Sequence, residues 1–401
     1  GTPYAVLFTG LLLVCPGWAG SIRVLPKAEG YYGIWYFNQP IEGPYRYKYS
    51  GGLATYPQTH IPIAVYAPAV QKTFFCYGGT VPGKQQLLHM ISYYDHRTGT
   101  VPRPRILLDK QTADAHDNPV LMIDSEGYIW VFSNAHGTAR PAYLHRSVRP
   151  YSIDEFELVE ERNFSYSQPW WIDGQGCLFL HTLYREGGRS LFWQTSPDGR
   201  QWSPERLLAR IQKGHYQISW LDGQRVGTAF NYHPEPVGLN ARTNLYYLET
   251  YDFGGTWKAV DGRVVQPPLR EPLNPALVAD FQQQGWLVYL KDLNFDPRGR
   301  PIVLFLTSKG WEPGPENGPR HYRVAHWTGH RWEVHTVAPT DHNYDFGSLY
   351  VEGELWRFIG PTEPGPQPYC TGGEITMWVS RDAGKTWRQT RRLTSNSRYN
   401  H

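Results

Sequence analysis

Apolar and polar positions alternate in short runs along this chain, and no stretch keeps a 3.6-residue apolar period long enough to predict a helix. One pattern recurs. His116 to Phe132 (HDNPVLMIDSEGYIWVF) reads as a polar entry, an apolar strand, an Asp/Gly turn and a second apolar strand. Gln168–Leu180, Tyr216–Phe230, Asn274–Tyr289 and Asp345–Phe358 repeat it, and an earlier copy begins at His60. Six hairpins of one design, spaced by roughly 45 to 70 residues, imply a stacked or circular repeat.

Each inner hairpin is followed by an outer one, and three of these carry a distinctive turn. Ser380 to Trp387 (SRDAGKTW) matches the Asp-box pattern S-x-D-x-G-x-T-W; Thr250 to Trp257 (TYDFGGTW) matches it with Thr first, and Ser196 to Trp202 (SPDGRQW) is one residue shorter. In such a turn the Asp carboxylate accepts backbone N–H bonds, Gly supplies the tight bend and Trp packs between sheets. Asp198, Asp252 and Asp382 are therefore fold markers rather than catalysts. Six repeats with strands left over at both ends predict an all-β, seven-bladed β-propeller, the last blade closed by Tyr31–Phe37 and the C-terminal tail, because closure removes exposed sheet edges.

Composition agrees with strands and turns: of 401 residues, 28 are Tyr and 16 Trp, with 40 Gly, 33 Pro and only 3 Met. A net charge of +3, from 39 basic and 36 acidic residues scattered along the chain, gives no nucleic-acid footprint but tolerates an anionic glycan. The one long apolar run, Ala5–Cys15, is too short to span a bilayer, and the small residues after it resemble a signal-peptidase site. This predicts a secretory segment over 1–20, a single propeller domain over 21–401, and a secreted or periplasmic monomer. Cys76, Cys177 and Cys370 allow at most one disulfide, and no CxxC spacing offers a zinc site. No cofactor is indicated beyond a possible structural calcium in the central channel, whose oxygen ligands spacing cannot reveal.

In a propeller the start of each innermost strand and the loop after its partner face the central channel. The entries hold His60, His116, Gln168, Tyr216, Asn274 and Asp345; the exits hold Tyr77, His136, His181 with Tyr184 and Arg185, Tyr232 with His233, and Lys291 with Asp292. Titratable groups that converge in a concave place are the usual signature of an active site. Arg185 and Arg242 suit a substrate carboxylate, which a guanidinium binds through two parallel hydrogen bonds.

Tyr31–Phe37 (YYGIWYF), Lys48–Tyr66 (KYSGGLATYPQTHIPIAVY), Cys76–Thr80 (CYGGT), His89–Thr98 and Asp114–Pro119 (DAHDNP) together resemble the BNR-repeat propellers. That group includes ulvan lyases, rhamnose–glucuronate lyases and α-L-rhamnosidases acting on rhamnosyl-glucuronic acid. In the lyase branch the resemblance implies a histidine pair, matched by His116 and His136, then a Tyr at a T-Y-P strand entry and an Arg at the exit. Ser167-Gln168-Pro169 stands at that entry, so Gln168 replaces the catalytic Tyr, and Arg185 matches the Arg. In the rhamnosidase branch it implies a catalytic His in the first blade, matched by His60.

The missing Tyr favours the rhamnosidase expectation: removal of α-L-rhamnose from rhamnosyl-α-1,4-glucuronic acid, with His60, His116 and His136 catalytic. Gln168, His181, Tyr184, Arg185, Tyr216, Tyr232, His233 and Arg242 would then bind the acidic rhamnose- and glucuronate-containing glycan. A lyase using His116 or His136, and a non-catalytic glycan-binding propeller, are the alternatives.

Overall fold

Short strands of alternating character, joined by turns that demand Gly or Asp, produce antiparallel sheets here. A computed structural model describes residues 21–32, 42–45, 59–81, 83–84, 86–185 and 187–401. Among the described residues six antiparallel sheets, four of four strands, one of five and one of six, follow one another along the chain, led by the strands Ala64–Ala67, Pro119–Ile123, Ser165–Ile172, Gln217–Asp222, Leu287–Phe295 and Ser348–Glu352. Each leading strand packs against the leading strand of the next sheet, which is a propeller-like arrangement. Ile22–Val24 adds an outer strand to the second sheet through Glu155–Arg162.

The Asp boxes show how the sheets are pressed together. In the last one, the Ser380 hydroxyl accepts from Gly384 N at 3.0 Å and the Asp382 carboxylate from Thr386 N at 2.9 Å. The box glycines take positive φ, and space as well as conformation requires them. A Cβ on Gly199 would come within 2.6 Å of the Trp130 ring of the preceding sheet, and one on Gly254 within 2.6 Å of Trp193.

One expectation about the repeats is corrected, and the seventh blade is not seen among the described residues. Asn274–Tyr289 is not a hairpin: Leu277–Ala279 pairs with Thr243–Thr250 of the fourth sheet, and the fifth sheet starts at Leu287. Lys291 and Asp292 consequently lie within a leading strand instead of at an exit. The described residues give six sheets rather than seven. Of the segment assigned to a seventh blade, 33–37 lie outside the described residues, and the C-terminal strand Arg388–Arg392 completes the sixth sheet by pairing with Glu374–Ser380. Residues 1–20, read as a secretory segment, also lie outside them. Cys76, Cys177 and Cys370 are buried free thiols. Among the described residues no helix is long and apolar enough to cross a membrane.

Candidate active site

The turn that leads into the second sheet and the loop after that sheet's second strand bring one carboxylate between two histidines. Asp114 caps a 3-10 turn, Ala115–Asp117. Its Oδ1 accepts from His116 N at 3.0 Å and from His116 Nδ1 at 2.6 Å; its Oδ2 accepts from His136 Nδ1 at 2.7 Å and from Arg140 Nη2 at 3.1 Å. An ionised carboxylate can only accept, so both rings carry their proton on Nδ1 and present Nε2 as a base. The rings stack with centroids 3.9 Å apart and planes 11° apart. Burial lowers the His116 pKa, Asp114 opposes that, and His136 adds to it, which keeps the imidazole neutral near pH 7. Arg140 continues to Asp117 through Nε and Nη2, both at 2.8 Å, and buried Lys110 reaches the same carboxylate at 3.2 Å.

Across from this pair, a guanidinium sits among tyrosines. Tyr166 has φ 52 where the pairing register of its strand shifts between Ser165 and Gln168. This bulge turns its ring to His60 at 5.0 Å, His116 at 6.4 Å and Tyr216 at 5.4 Å. The Arg189 guanidinium lies 4.7 Å from the Tyr166 ring and 4.6 Å from that of Tyr216, and donates to the Tyr184 hydroxyl. Arg242 lies 4.8 Å from the far part of the same cluster, the Tyr216 ring, and donates to the Tyr344 hydroxyl at 3.1 Å. Burial alone would raise the Tyr216 phenol, but Arg189 and Arg242, with hydrogen bonds from Arg189 and Tyr166, bring it down to about 8. Ala115 belongs to the same buried apolar cluster as Tyr289 and Tyr344.

The structure sorts the sequence-selected residues into three groups. His116, His136, Tyr184, Tyr216, His233 and Arg242 join this cluster, His233 through ring contact with Tyr216 at 5.1 Å. His60 lies beneath it, 2% exposed, with neither ring nitrogen hydrogen-bonded among the described residues. Burial and the nearby His116 and His136 push its pKa well down, which makes it a poor proton donor.

The others are used elsewhere. The Gln168 amide donates to Thr59 O and Gln217 O, at 3.0 and 2.8 Å, and its oxygen accepts from Ser219, so it pins leading strands together beneath the site. His181 is buried against Phe179 and Gln194, with its pKa lowered to about 3 by burial and Arg162. Arg185 is exposed and paired with Glu205 at 3.1 Å. The Tyr232 hydroxyl donates to Gln282. Rim positions do not reveal Asp114, which lies two residues before the entry histidine, or Arg189, which opens a third strand rather than an exit. Tyr166 could not be found from the pattern, since the bulge that aims it is invisible in an alternating sequence.

Asp114, His116 and His136 also form the one group among the described residues whose ligand atoms, all within 4.8 Å of one another, offer a place for a metal ion. In this arrangement both Nδ1 atoms are already spent as donors to the carboxylate.

Residues 89–340 match the model of the BNR repeat-containing family. The chain belongs to that family. It is 27% identical over 333 residues to an ulvan lyase of Nonlabens ulvanivorans and 26% identical over 348 residues to a PL25 ulvan lyase of a Pseudoalteromonas species. These matches cover 70% and 74% of this chain, and 66% and 68%, about two thirds, of the relatives. A solved PL25 ulvan lyase superposes with TM-score 0.69 at 18% identity over 84% of this chain and 83% of that one; polysaccharide lyase Uly1 does so with TM-score 0.62 at 13% identity, over 94% and 92%. The fold is thus shared with both. The rhamnosidase expectation is corrected by these relatives, which are named as lyases.

Proposed function

We propose that this protein is a polysaccharide lyase that cleaves a rhamnose–uronate glycan by β-elimination. The observation that carries the reading is Asp114 holding two stacked imidazole rings through their Nδ1 atoms, opposite a guanidinium set among tyrosines, in a chain related to ulvan lyases. A solved relative is bound to a glucuronate–rhamnose-3-sulfate repeat, and the same glycan chemistry suits this site.

β-Elimination needs three things: neutralisation of the uronate carboxylate, a base for the C5 proton, and an acid for the departing O4. Arg189 supplies the positive charge that stabilises the enolate formed at C5. Nε2 of the Asp114-held histidine pair takes the proton; His136, with 35% of its side chain exposed, is the more open of the two. The C5–H electrons form the C4=C5 double bond, the C4–O4 bond breaks, and O4 leaves with a proton from Tyr216. A phenol brought down to about 8 is a stronger acid than an ordinary tyrosine and remains protonated at neutral pH.

Incubation with ulvan tests the reading directly. Ultraviolet absorbance from unsaturated uronate ends is expected to rise without release of free rhamnose. Free rhamnose with no new absorbance overturns it.

A further inference from the structure

A row of alternating charges runs from the first sheet into the candidate site. Lys110 directly follows the outer strand of the first sheet, Arg105–Asp109, and Asp114 and Asp117 belong to the turn that enters the second. Arg140 and His136 share the loop between that sheet's second and third strands, Ile129–Ser133 and Ala142–Ser147. Lys110 and Asp117 are shut away from solvent, with side chains 1% and 0% exposed. Charges taken that far out of water persist only when paired and hydrogen-bonded. Lys110 Nζ lies 3.2 Å from Asp117 Oδ2 and also donates to the carbonyl of Pro141, so one ammonium fixes both the carboxylate and the backbone next to Arg140.

Arg140 carries this buried pair's anchorage out to the histidines. Its Nε donates to Asp117 Oδ2 and its Nη2 to Asp117 Oδ1, both at 2.8 Å, a fork that sets the plane of the guanidinium. Nη2 has a second hydrogen, which goes to Asp114 Oδ2 at 3.1 Å. That oxygen is the one that accepts from His136, whereas Asp114 Oδ1 serves His116 twice, through its ring and its backbone N–H. The two oxygens are thus anchored differently: Oδ1 by the turn itself, Oδ2 by Arg140.

We propose that Arg140 is a positioning residue, which, braced by Asp117 and Lys110, holds Asp114 Oδ2 where it fixes the tautomer and orientation of His136. It acts through Asp114 and not on the sugar, and it rests on the lyase reading only for the reaction it assists. Removing Arg140 leaves Asp117 paired with Lys110, so Arg140→Met strands no buried charge and is expected to fold, which a thermal melt checks. Nitrogen NMR of the labelled imidazoles is expected to show both rings of the parent protonated on Nδ1, and in Arg140→Met a mixture of tautomers at His136 with His116 unchanged. Arg140→Lys, which keeps a cation but not the fork, shows the same change to a smaller degree. On ulvan, Arg140→Met lowers kcat by roughly tenfold or more while KM stays within about twofold. An unchanged His136 signal in both variants, an equal change at His116, or a rise in KM at constant kcat overturns the positioning role. Failure of the lyase reading shows separately, as no unsaturated product from the parent protein, and the nitrogen spectra then still decide what holds His136.

Discussion

His116 and His136 stack 3.9 Å apart while both donate to one carboxylate, that of Asp114. One carboxylate therefore sets the tautomer of both rings, with the proton of each on Nδ1. Asp114→Asn replaces one of the two acceptor oxygens with an amide donor, so one ring loses the partner that fixes its tautomer. The expected result is a loss of 10²-fold or more in kcat with the far-ultraviolet circular dichroism unchanged; activity within threefold of the parent counts against the histidine pair as the base.

Tyr216 and His116 set opposite limbs of the pH profile. Activity falls toward acid as His116, its pKa lowered by burial, gains a proton, and falls toward alkali above about 8 as Tyr216 loses the proton it gives to O4. Rate measurements on Tyr216→Phe should show a reduced rate and a flattened alkaline limb. An alkaline limb that stays in place reassigns the acid.

Arg189 is held by Tyr166, Tyr184 and Tyr216, so a lysine cannot reproduce its planar contacts. Arg189→Lys should lower kcat/KM by roughly 10² or more, in the range seen when a charge-stabilising donor is removed. Steady-state kinetics on ulvan oligosaccharides checks this, together with a thermal melt to exclude unfolding.

Gln168 distinguishes a staple from a ligand. Gln168→Leu strands the Thr59 and Gln217 carbonyls and is expected to destabilise by about 1–3 kcal/mol, while the activity of the folded fraction barely changes. Urea denaturation and specific activity are the paired measurements, and a selective rise in KM at unchanged stability would restore Gln168 to the sugar.

Stability should fall in acid because several histidines are buried neutral. Burial, aided by nearby arginines, lowers His181 to about 3, and burial lowers His215 to about 4. The unfolded chain takes up these protons near 6.5 and the folded one does not, so their contribution is full above about 6.5 and is lost as pH falls through that window toward 3. Thermal melts between pH 7.5 and 5 should show a decreasing Tm, and the decrease should be smaller in His215→Asn.

What the sequence by itself determined was the repeat: alternating strands, Asp-box turns with their glycines and tryptophans, and the histidine at each of two neighbouring rims. Those follow from local rules, since a tight turn needs Gly and a half-buried strand needs alternation, and both are written in consecutive residues. His116 and His136 were legible for that reason, and the BNR resemblance with them. Only the tertiary structure decided which rim residues meet. One bulge sent Tyr166 into the cluster and left Gln168 pinned beneath it, a displacement that leaves the alternation of the pattern almost unchanged. Arg189 reached the same tyrosines from a third strand, and Asn274 was carried off to the fourth sheet by pairing its neighbours with Thr243–Thr250. Pairing between strands far apart in sequence, and the burial that followed for His60, are set by packing among sheets and not by any local run of residues.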